Sequence, residues 1–169
     1  MKIMRYIGIF MLFIGAGFFG MLLMVPSELE YVVNEDINVP ASEVFKGIND
    51  PEDMVKWMTG LKSVKQVKGD GPGVHSEYDL FYPQDMIMHR TTNVYDLDSR
   101  IVNNGEVKDF FNRIDDYTIK ALDSSKTRIS WKVKMKSLNM GSRMILKAED
   151  THKNNTAENL TALKTYLEK

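Results

Sequence analysis

Hydrophobic and polar positions follow three patterns along this chain, and each pattern predicts a different kind of element. Residues 6–25, YIGIFMLFIGAGFFGMLLMV, contain no charged side chain, and as a helix they would span about 30 Å, the thickness of a bilayer core. Between residues 31 and 136, most runs alternate apolar and polar positions as β-strands do. From about residue 140 onward, the apolar spacing is helical. We therefore expect a membrane-spanning segment followed by one domain of strands and helices.

The uncharged run predicts a transmembrane signal anchor over residues 1–27, with the domain over residues 28–169. Lys2 and Arg5 precede the run and acidic residues follow it, a bias that keeps the N-terminus in the cytoplasm and exports the rest. The alternative is a cleaved signal peptide and a secreted protein. The run is longer than the apolar region of about 7–15 residues in signal peptides, and no clear A-x-A-like cleavage site follows it. We therefore expect a single-pass membrane protein with an extracytoplasmic domain.

A short stretch of this run, GAGFFG at residues 15–20, matches the G-x-G-x-x-G dinucleotide-binding fingerprint. That fingerprint binds a pyrophosphate only where a strand turns into a helix within a βαβ unit. Here it lies inside the uncharged span, so we do not interpret it as a nucleotide site. Ala16 and Gly20 instead form a small-xxx-small pair that would let two anchors pack closely.

The exported part begins with one strand and two short helices. YVVNEDINV, residues 31–39, alternates like a half-buried strand. Pro40 then begins a short helix. Asp50 is a natural N-cap for a second helix, because Pro51 suits the first helical position.

The strands that follow are expected to form an antiparallel meander, because turn residues separate them. The clearest strand is TRISWKVKMK, residues 127–136, whose two faces are apolar and basic, as in a sheet with one face in water. The strand MIMHRTTNVY, residues 86–95, is ambiguous, because both of its faces carry apolar residues. In the clearest strand the apolar face carries Ile129, Trp131, Val133 and Met135, and the basic face carries Arg128, Lys132, Lys134 and Lys136.

The C-terminal residues, 140–169, contain no proline and predict one long helix with a single apolar stripe. The stripe is weak at His152 and Thr156, where a helix on a dry core would more often carry leucine. This weakness indicates either a partly open interior beneath the helix or an exposed helix start. The stripe consists of Ile145, Ala148, His152, Thr156, Leu160, Leu163 and Leu167.

This order of elements, together with INVPASEVFKGINDPEDMVKWMTGL at residues 37–61, closely resembles the START-like, or SRPBCC, superfamily, in particular its polyketide cyclase/dehydrase and lipid-transport branch. The resemblance implies an α+β helix-grip fold, in which a curved antiparallel sheet of about six to seven strands wraps the C-terminal helix around a hydrophobic cavity. Members bind lipids, sterols, polyketides or other apolar molecules, and only some are enzymes. The residues that carry the resemblance are Ile37, Pro40, Ala41, Val44, Phe45, Asp50, Pro51, Trp57, Gly60 and Leu61.

Charge and composition exclude several kinds of site. Two of the 22 basic residues precede the uncharged run at residues 6–25, and all 23 acidic residues follow it. The domain is therefore slightly acidic, and we expect no nucleic-acid partner. The chain has no cysteine, and therefore no disulfide. Its three histidines, His75, His89 and His152, lack the spacing of metal ligands. We expect neither a metal nor another cofactor.

The implied cavity has candidate lining residues and weaker candidates for acid–base chemistry. Methionine is flexible and polarizable, so methionines and aromatic residues on the inner faces suit varied apolar ligands, although an ordinary methionine-rich core is the alternative. The catalytic candidates are His89, Arg113, Asp115 and His152, if they face the cavity. The predicted lining residues are Trp57, Met58, Tyr78, Leu80, Phe111, Trp131, Met135, Met144 and His152.

The leading hypothesis is a membrane-anchored domain that binds a hydrophobic small molecule or lipid between the sheet and the C-terminal helix. Its partners would be that molecule and the membrane, through residues 6–25. The alternative is an enzyme similar to polyketide cyclases and dehydratases, which would use polar residues in the same cavity. A third possibility is a partner-binding module with a filled core.

Overall fold

Seven antiparallel strands form one curved sheet in the order β1-β7-β6-β5-β4-β3-β2 in a computed structural model that describes residues 26–169. The predicted transmembrane segment, residues 6–25, lies outside the described residues. The strands are β1 (Glu28–Ile37), β2 (Ser63–Lys68), β3 (Glu77–Phe81), β4 (Ile87–Asp96), β5 (Arg100–Val107), β6 (Phe111–Ala121) and β7 (Thr127–Ser137).

Four helices accompany the sheet in the described part of the chain. They are α1 (Ala41–Asn49), α2 (Pro51–Trp57), α3 (Met140–Leu146) and α4 (Glu149–Leu167), and a single 3₁₀ turn covers Pro83–Asp85. Because β1 and β2 lie at opposite edges of the sheet, α1 and α2 form the crossing between them. This arrangement is the predicted helix-grip fold.

The start of α2 follows the predicted capping pattern. Asp50 is the N-cap, and its Oδ1 accepts a hydrogen bond of 2.9 Å from the Glu52 backbone N–H. Pro51 occupies the first turn, where a missing N–H costs nothing, and the acidic residues that follow suit the positive helix end. The strand and the two short helices that the sequence predicts at the start of the domain are therefore confirmed.

The two faces of β7 are those that the sequence predicts. Its apolar face is buried, whereas the basic face carries ion pairs to β1, which lies beside it. Lys132 Nζ lies 2.7 Å from Glu30 Oε1, and Arg128 Nε lies 2.7 Å from Asp36 Oδ1. Exposed pairs of this kind stabilise a fold only slightly. The basic stripe is thus a solvated face, and acidic residues of β1 balance its charges.

The C-terminal region departs from the single helix that the sequence predicts. Asn139 caps α3 through a capping box with Ser142, and the backbone leaves the helical conformation at Ala148 before α4 begins. Leu146, rather than Ile145, points into the core: Leu146 is 2% exposed and Ile145 is 46% exposed. The break rotates the stripe, so the predicted contact at Ile145 is wrong. The stripe is buried at Thr156, Leu160 and Leu163.

The structure also resolves the ambiguity of β4. Met88, Arg90 and Thr92 are buried on the inner face. The register against β5 shifts between Thr92 and Val94. This bulge changes the phase of the strand, because one extra residue reverses which side chains face inward.

Between residues 26 and 169, no helix combines the length and the hydropathy that a membrane crossing requires.

Candidate functional site

A partly enclosed cavity of about 200 Å³ lies between the inner face of the sheet and the first half of α4. A larger depression of about 680 Å³ runs along the outer side of α4, but it is a shallow surface feature. We therefore take the partly enclosed cavity as the candidate site. Its lining consists of Tyr31, Met58, Thr59, Leu80, Tyr82, Met86, Met88, Arg90, Asn103, Val107, Phe111, Arg113, Asp115, Tyr117, Trp131, His152, Asn155, Thr156 and Asn159.

The cavity has a mouth with several methionines and a polar inner end. The exposed or partly exposed lining residues at the mouth include Met58 after α2, Tyr82 after β3 and Met86 before β4, together with the polar residues Thr59 and Asn155. The inner end is formed by polar side chains that are almost completely buried. They are Arg90, Asn103, Asp115 and Tyr117, with exposures of 5%, 2%, 6% and 3%.

Strand register explains why two arginines meet in the cavity. Arg90 on β4 is opposite Gly105 on β5, and Gly105 is opposite Arg113 on β6. The two arginines therefore lie in one row across the inner face, with a glycine between them. Met88 fills the space above that glycine, since a Cβ on Gly105 would lie only 2.8 Å from the Met88 sulfur. One row further along, Asn103 lies opposite Asp115.

Arg113 and Asp115 form a closed ion pair. Arg113 Nε donates hydrogen bonds of 2.8 and 3.0 Å to the two Asp115 carboxylate oxygens, and Trp131 Nε1 donates to Oδ1 at 2.7 Å. Burial acts to lower the pKa of Arg113, but the attraction of Asp115 outweighs it and holds that pKa above its usual value. Both carboxylate oxygens are already engaged by donors. The pair is thus a fixed and neutral part of the cavity wall.

Arg90 has no such partner. Its Nη1 donates to the Met54 sulfur at 3.1 Å, and its guanidinium lies 4.9 Å from the centroid of the Tyr78 ring. Its Nε is buried without a hydrogen-bond partner among the described residues. Burial lowers the pKa of Arg90, but an arginine stays protonated in proteins. The cavity wall therefore contains a buried cation that no carboxylate of the described residues pairs.

Tyr117 completes the inner end. Its ring packs on Trp131 with 4.8 Å between the centroids. Burial, with a smaller effect of nearby Asp115, raises its pKa well above 10.0, so the hydroxyl stays neutral at physiological pH and can donate or accept a hydrogen bond.

The predicted lining residues separate into two groups. Met58, Leu80, Phe111, Trp131 and His152 line the cavity. The other four lie elsewhere in the structure: Trp57 donates its indole N–H to the Gly47 carbonyl at 2.8 Å, Tyr78 lies beneath Arg90, Met135 is buried in the core and Met144 is half exposed on α3.

The predicted acid–base candidates also separate. Arg113 and Asp115 line the cavity and His152 lies at its mouth, where its Nε2 contacts the Ile145 carbonyl at 3.0 Å. His89 lies on the outer face of the sheet, with its Nδ1 2.9 Å from Asp79 Oδ1. Since its neighbours Met88 and Arg90 point inward, His89 must point outward.

Sequence reasoning missed Arg90, Asn103 and Tyr117 as site residues. A signal for Arg90 was present, because Arg90 is in phase with Met88 along β4. Alternation assigns both to one face, and a charged residue in phase with an apolar face indicates a buried, functional charge.

Comparison with known proteins agrees with this architecture. Residues 29–168 match the family described as polyketide cyclase/dehydrase and lipid transport. The chain belongs to this family. No sequence among the curated proteins matches it significantly.

Solved structures share the fold of this family member. The Zhui aromatase/cyclase of Streptomyces sp. R1128 has a TM-score of 0.70 at 12% identity, over 83% of this chain and 94% of that one. TTHA0849 of Thermus thermophilus has a TM-score of 0.68 at 13% identity, over 82% and 97%. A hypothetical protein of Helicobacter pylori has a TM-score of 0.67 at 13% identity, over 83% and 86%. At these identities the similarity shows the fold alone.

Proposed function

We propose that this family member binds a hydrophobic small molecule or lipid in the cavity between the sheet and α4, while its N-terminal segment holds the domain on the outer face of the membrane. The observation that carries the proposal is the partly enclosed cavity with methionines at its mouth. Enclosed apolar pockets with a few placed polar groups are the usual form of small-molecule sites.

The size of the cavity limits what it holds. Its volume of about 200 Å³ is below the range of about 300–1,000 Å³ that is typical of pockets for drug-sized ligands. It therefore suits a small molecule, or one end of a longer molecule whose remainder leaves through the mouth. Met58 and Met86 lie there and Met88 lies deeper in the cavity, and methionine side chains repack readily around different apolar shapes.

The position of the mouth supports the membrane proposal. Phe111, at the mouth, lies opposite Ser137, and the Ser137 backbone N–H donates to the Ser27 carbonyl at 2.9 Å. The mouth is therefore at the end of the sheet where the chain continues toward residues 6–25. Next to it, α3 exposes 50% of Met144 and 46% of Ile145. A bilayer at this end would cover these side chains and supply an apolar ligand.

Catalysis is the second candidate, and the convergence of Arg113, Asp115 and Tyr117 favours it. A dehydratase or cyclase needs a group that is free to move a proton. Both oxygens of Asp115 accept hydrogen bonds, and the His152 ring already contacts a carbonyl. Ligand binding does not require a group that is free to move a proton, so the geometry favours binding over catalysis.

Native mass spectrometry of the full chain, purified with its co-purifying lipids, tests the binding proposal. Val107 lines the mouth, whereas Val32 is 45% exposed on β1. We expect Val107→Trp to fill the mouth and lose the bound molecule, and Val32→Trp, the matched control, to keep it. A wild-type chain that carries no apolar molecule and binds no added apolar probe would overturn the proposal. Equal retention by the two variants would place the ligand outside the cavity.

A further inference from the structure

A buried, unpaired cation at the inner end of the cavity requires an explanation. Removing a charge from water is costly unless a hydrogen-bonded counter-charge compensates it. Arg113 has such a partner in Asp115, at 2.8 Å. Arg90 is 5% exposed and has only the Met54 sulfur, which is a weak acceptor, and the Tyr78 ring. Since Arg90 is one of the residues that line the cavity, we expect an anion that enters the cavity to reach its guanidinium.

We propose that Arg90 binds the carboxylate of an amphipathic ligand whose apolar part lies along the methionines of the mouth. This inference rests on the proposed function of the same cavity and names the class of ligand. The headgroup of the ligand would lie at the polar inner end of the cavity, and its apolar part would lie along the methionines of the mouth.

The net charge of the cavity lining favours a ligand that carries one negative charge. The permanently charged residues of the lining are Arg90, Arg113 and Asp115. Arg113 and Asp115 neutralise each other through their direct contact, so one positive charge remains. A carboxylate balances that charge, whereas a neutral molecule leaves it unpaired and a doubly charged phosphate overcompensates it. The planar guanidinium also matches the geometry of a carboxylate.

The position of Arg90 fits a headgroup that enters first. On β4, Arg90 lies two residues further from the mouth than Met88. Opposite it, Gly105 has no side chain, and the flexible Met88 side chain lies over that glycine. A ligand of the available size, about 200 Å³, would place its carboxylate at Arg90 and its first methylene groups beside Met88.

A structural role for Arg90 is the competing explanation, in which its contact with the Tyr78 ring suffices. The two explanations differ in ligand selectivity. A structural arginine gives no preference between a carboxylate and an alcohol of the same chain length. A headgroup site gives a preference that disappears with the guanidinium.

The test is a titration of the full chain in lipid nanodiscs with octanoate, labelled with ¹³C at the carboxyl carbon, and with 1-octanol. Partition into the bilayer is the same for each variant, so differences between variants report the site. Arg90→Met removes the charge at similar volume, and Arg90→Lys keeps the charge. Arg100→Met is the matched control, because Arg100 pairs with Asp116 at 2.8 Å on the outer face.

We expect wild type and Arg100→Met to bind octanoate more tightly than octanol. Arg90→Met should weaken octanoate binding by about 10- to 100-fold, as expected for a lost hydrogen bond to a charged group, and leave octanol binding unchanged. Arg90→Lys should retain part of the preference for octanoate.

Three results would overturn the inference, and they separate it from the proposed function. If wild type binds both molecules equally, the cavity takes apolar ligands without a headgroup site. If Arg90→Met keeps the preference for octanoate, the carboxylate lies elsewhere. If wild type binds neither molecule, nor any apolar probe, the proposed function fails as well.

Discussion

Two arginines in one row of the sheet have opposite surroundings, and this contrast is the clearest residue-scale feature of the site. Arg113 is paired with Asp115, whose exposure is 6%. Arg90 has no carboxylate partner in the described part of the chain. Breaking a buried pair leaves the remaining charge uncompensated, whereas removing an unpaired buried charge relieves a cost.

Substituting each arginine by methionine should therefore have different effects on the free energy of unfolding. We expect Arg113→Met to lower the free energy of unfolding by about 3–5 kcal/mol, because Asp115 stays buried without its partner. Arg90→Met should leave stability within about 1 kcal/mol of wild type or raise it, because an apolar side chain replaces an unpaired charge. Urea denaturation of the two variants measures both effects. A loss of more than about 2 kcal/mol in Arg90→Met would show that Arg90 is structural.

At the residue scale, strand periodicity predicts positions on β7 well and fails to identify the site on β4. The inward residues of β7 from Ile129 to Met135 are all apolar and the outward residues between them are polar or basic, so the pattern has one interpretation. On β4 the inner face carries Arg90 and Thr92, which makes it resemble an outer face. Polar residues of a site interrupt the alternation of apolar and polar positions by which the buried face of a strand is recognised.

At the element scale, local sequence signals such as caps and prolines predict the elements of the fold. They do not predict the details of how those elements pack. The Asp50 cap and Pro51 specify the start of α2 within a few residues. Asn139 caps the start of α3, and the backbone leaves the helical conformation at Ala148, after the buried Leu146. The burial of Leu146 is a tertiary contact, which helical spacing alone does not contain. The sequence thus predicts that a C-terminal helix exists, but not its division.

The narrow part of the cavity depends on a glycine in β5. A Cβ on Gly105 would lie 2.8 Å from the Met88 sulfur, so Gly105→Ala should push Met88 toward the cavity. We expect weaker binding of octanol with little loss of stability, because Met88 is flexible and alanine is favoured over glycine in a strand by about 0.5–1 kcal/mol.

Isothermal titration and urea denaturation of Gly105→Ala measure these two effects. Gly73→Ala is the matched control, since its Cβ would have no heavy atom within 4 Å, and it should bind octanol like wild type. Unchanged octanol binding in Gly105→Ala would show that Met88 does not limit the space for the ligand.

At the scale of the whole molecule, the proposal joins the cavity to the membrane through residues 6–25. The chain contains no cysteine, so a single introduced cysteine reports the side of the membrane on which it lies. Ser124 is exposed between β6 and β7, and Lys2 precedes the apolar run.

Met4 also precedes the run, and replacing it keeps both Lys2 and Arg5. We expect a membrane-impermeant maleimide to label Ser124→Cys in intact cells, and to label Met4→Cys only after lysis, because the positive charges keep the N-terminus in the cytoplasm. Absence of position 4 from the mature protein would indicate cleavage and secretion. Labelling of Met4→Cys alone in intact cells would contradict the proposed orientation.

The central claim is that an apolar ligand binds inside the cavity, and methionine methyl NMR of the full chain tests it most directly. Met58, Met86 and Met88 line the cavity, whereas Met140 and Met144 are 38% and 50% exposed on α3. On titration with 1-octanol, we predict saturable shifts of the three cavity methyl signals while the two α3 signals stay in place. Shifts confined to the α3 methyl groups, or no saturable shift in the cavity, would contradict the account.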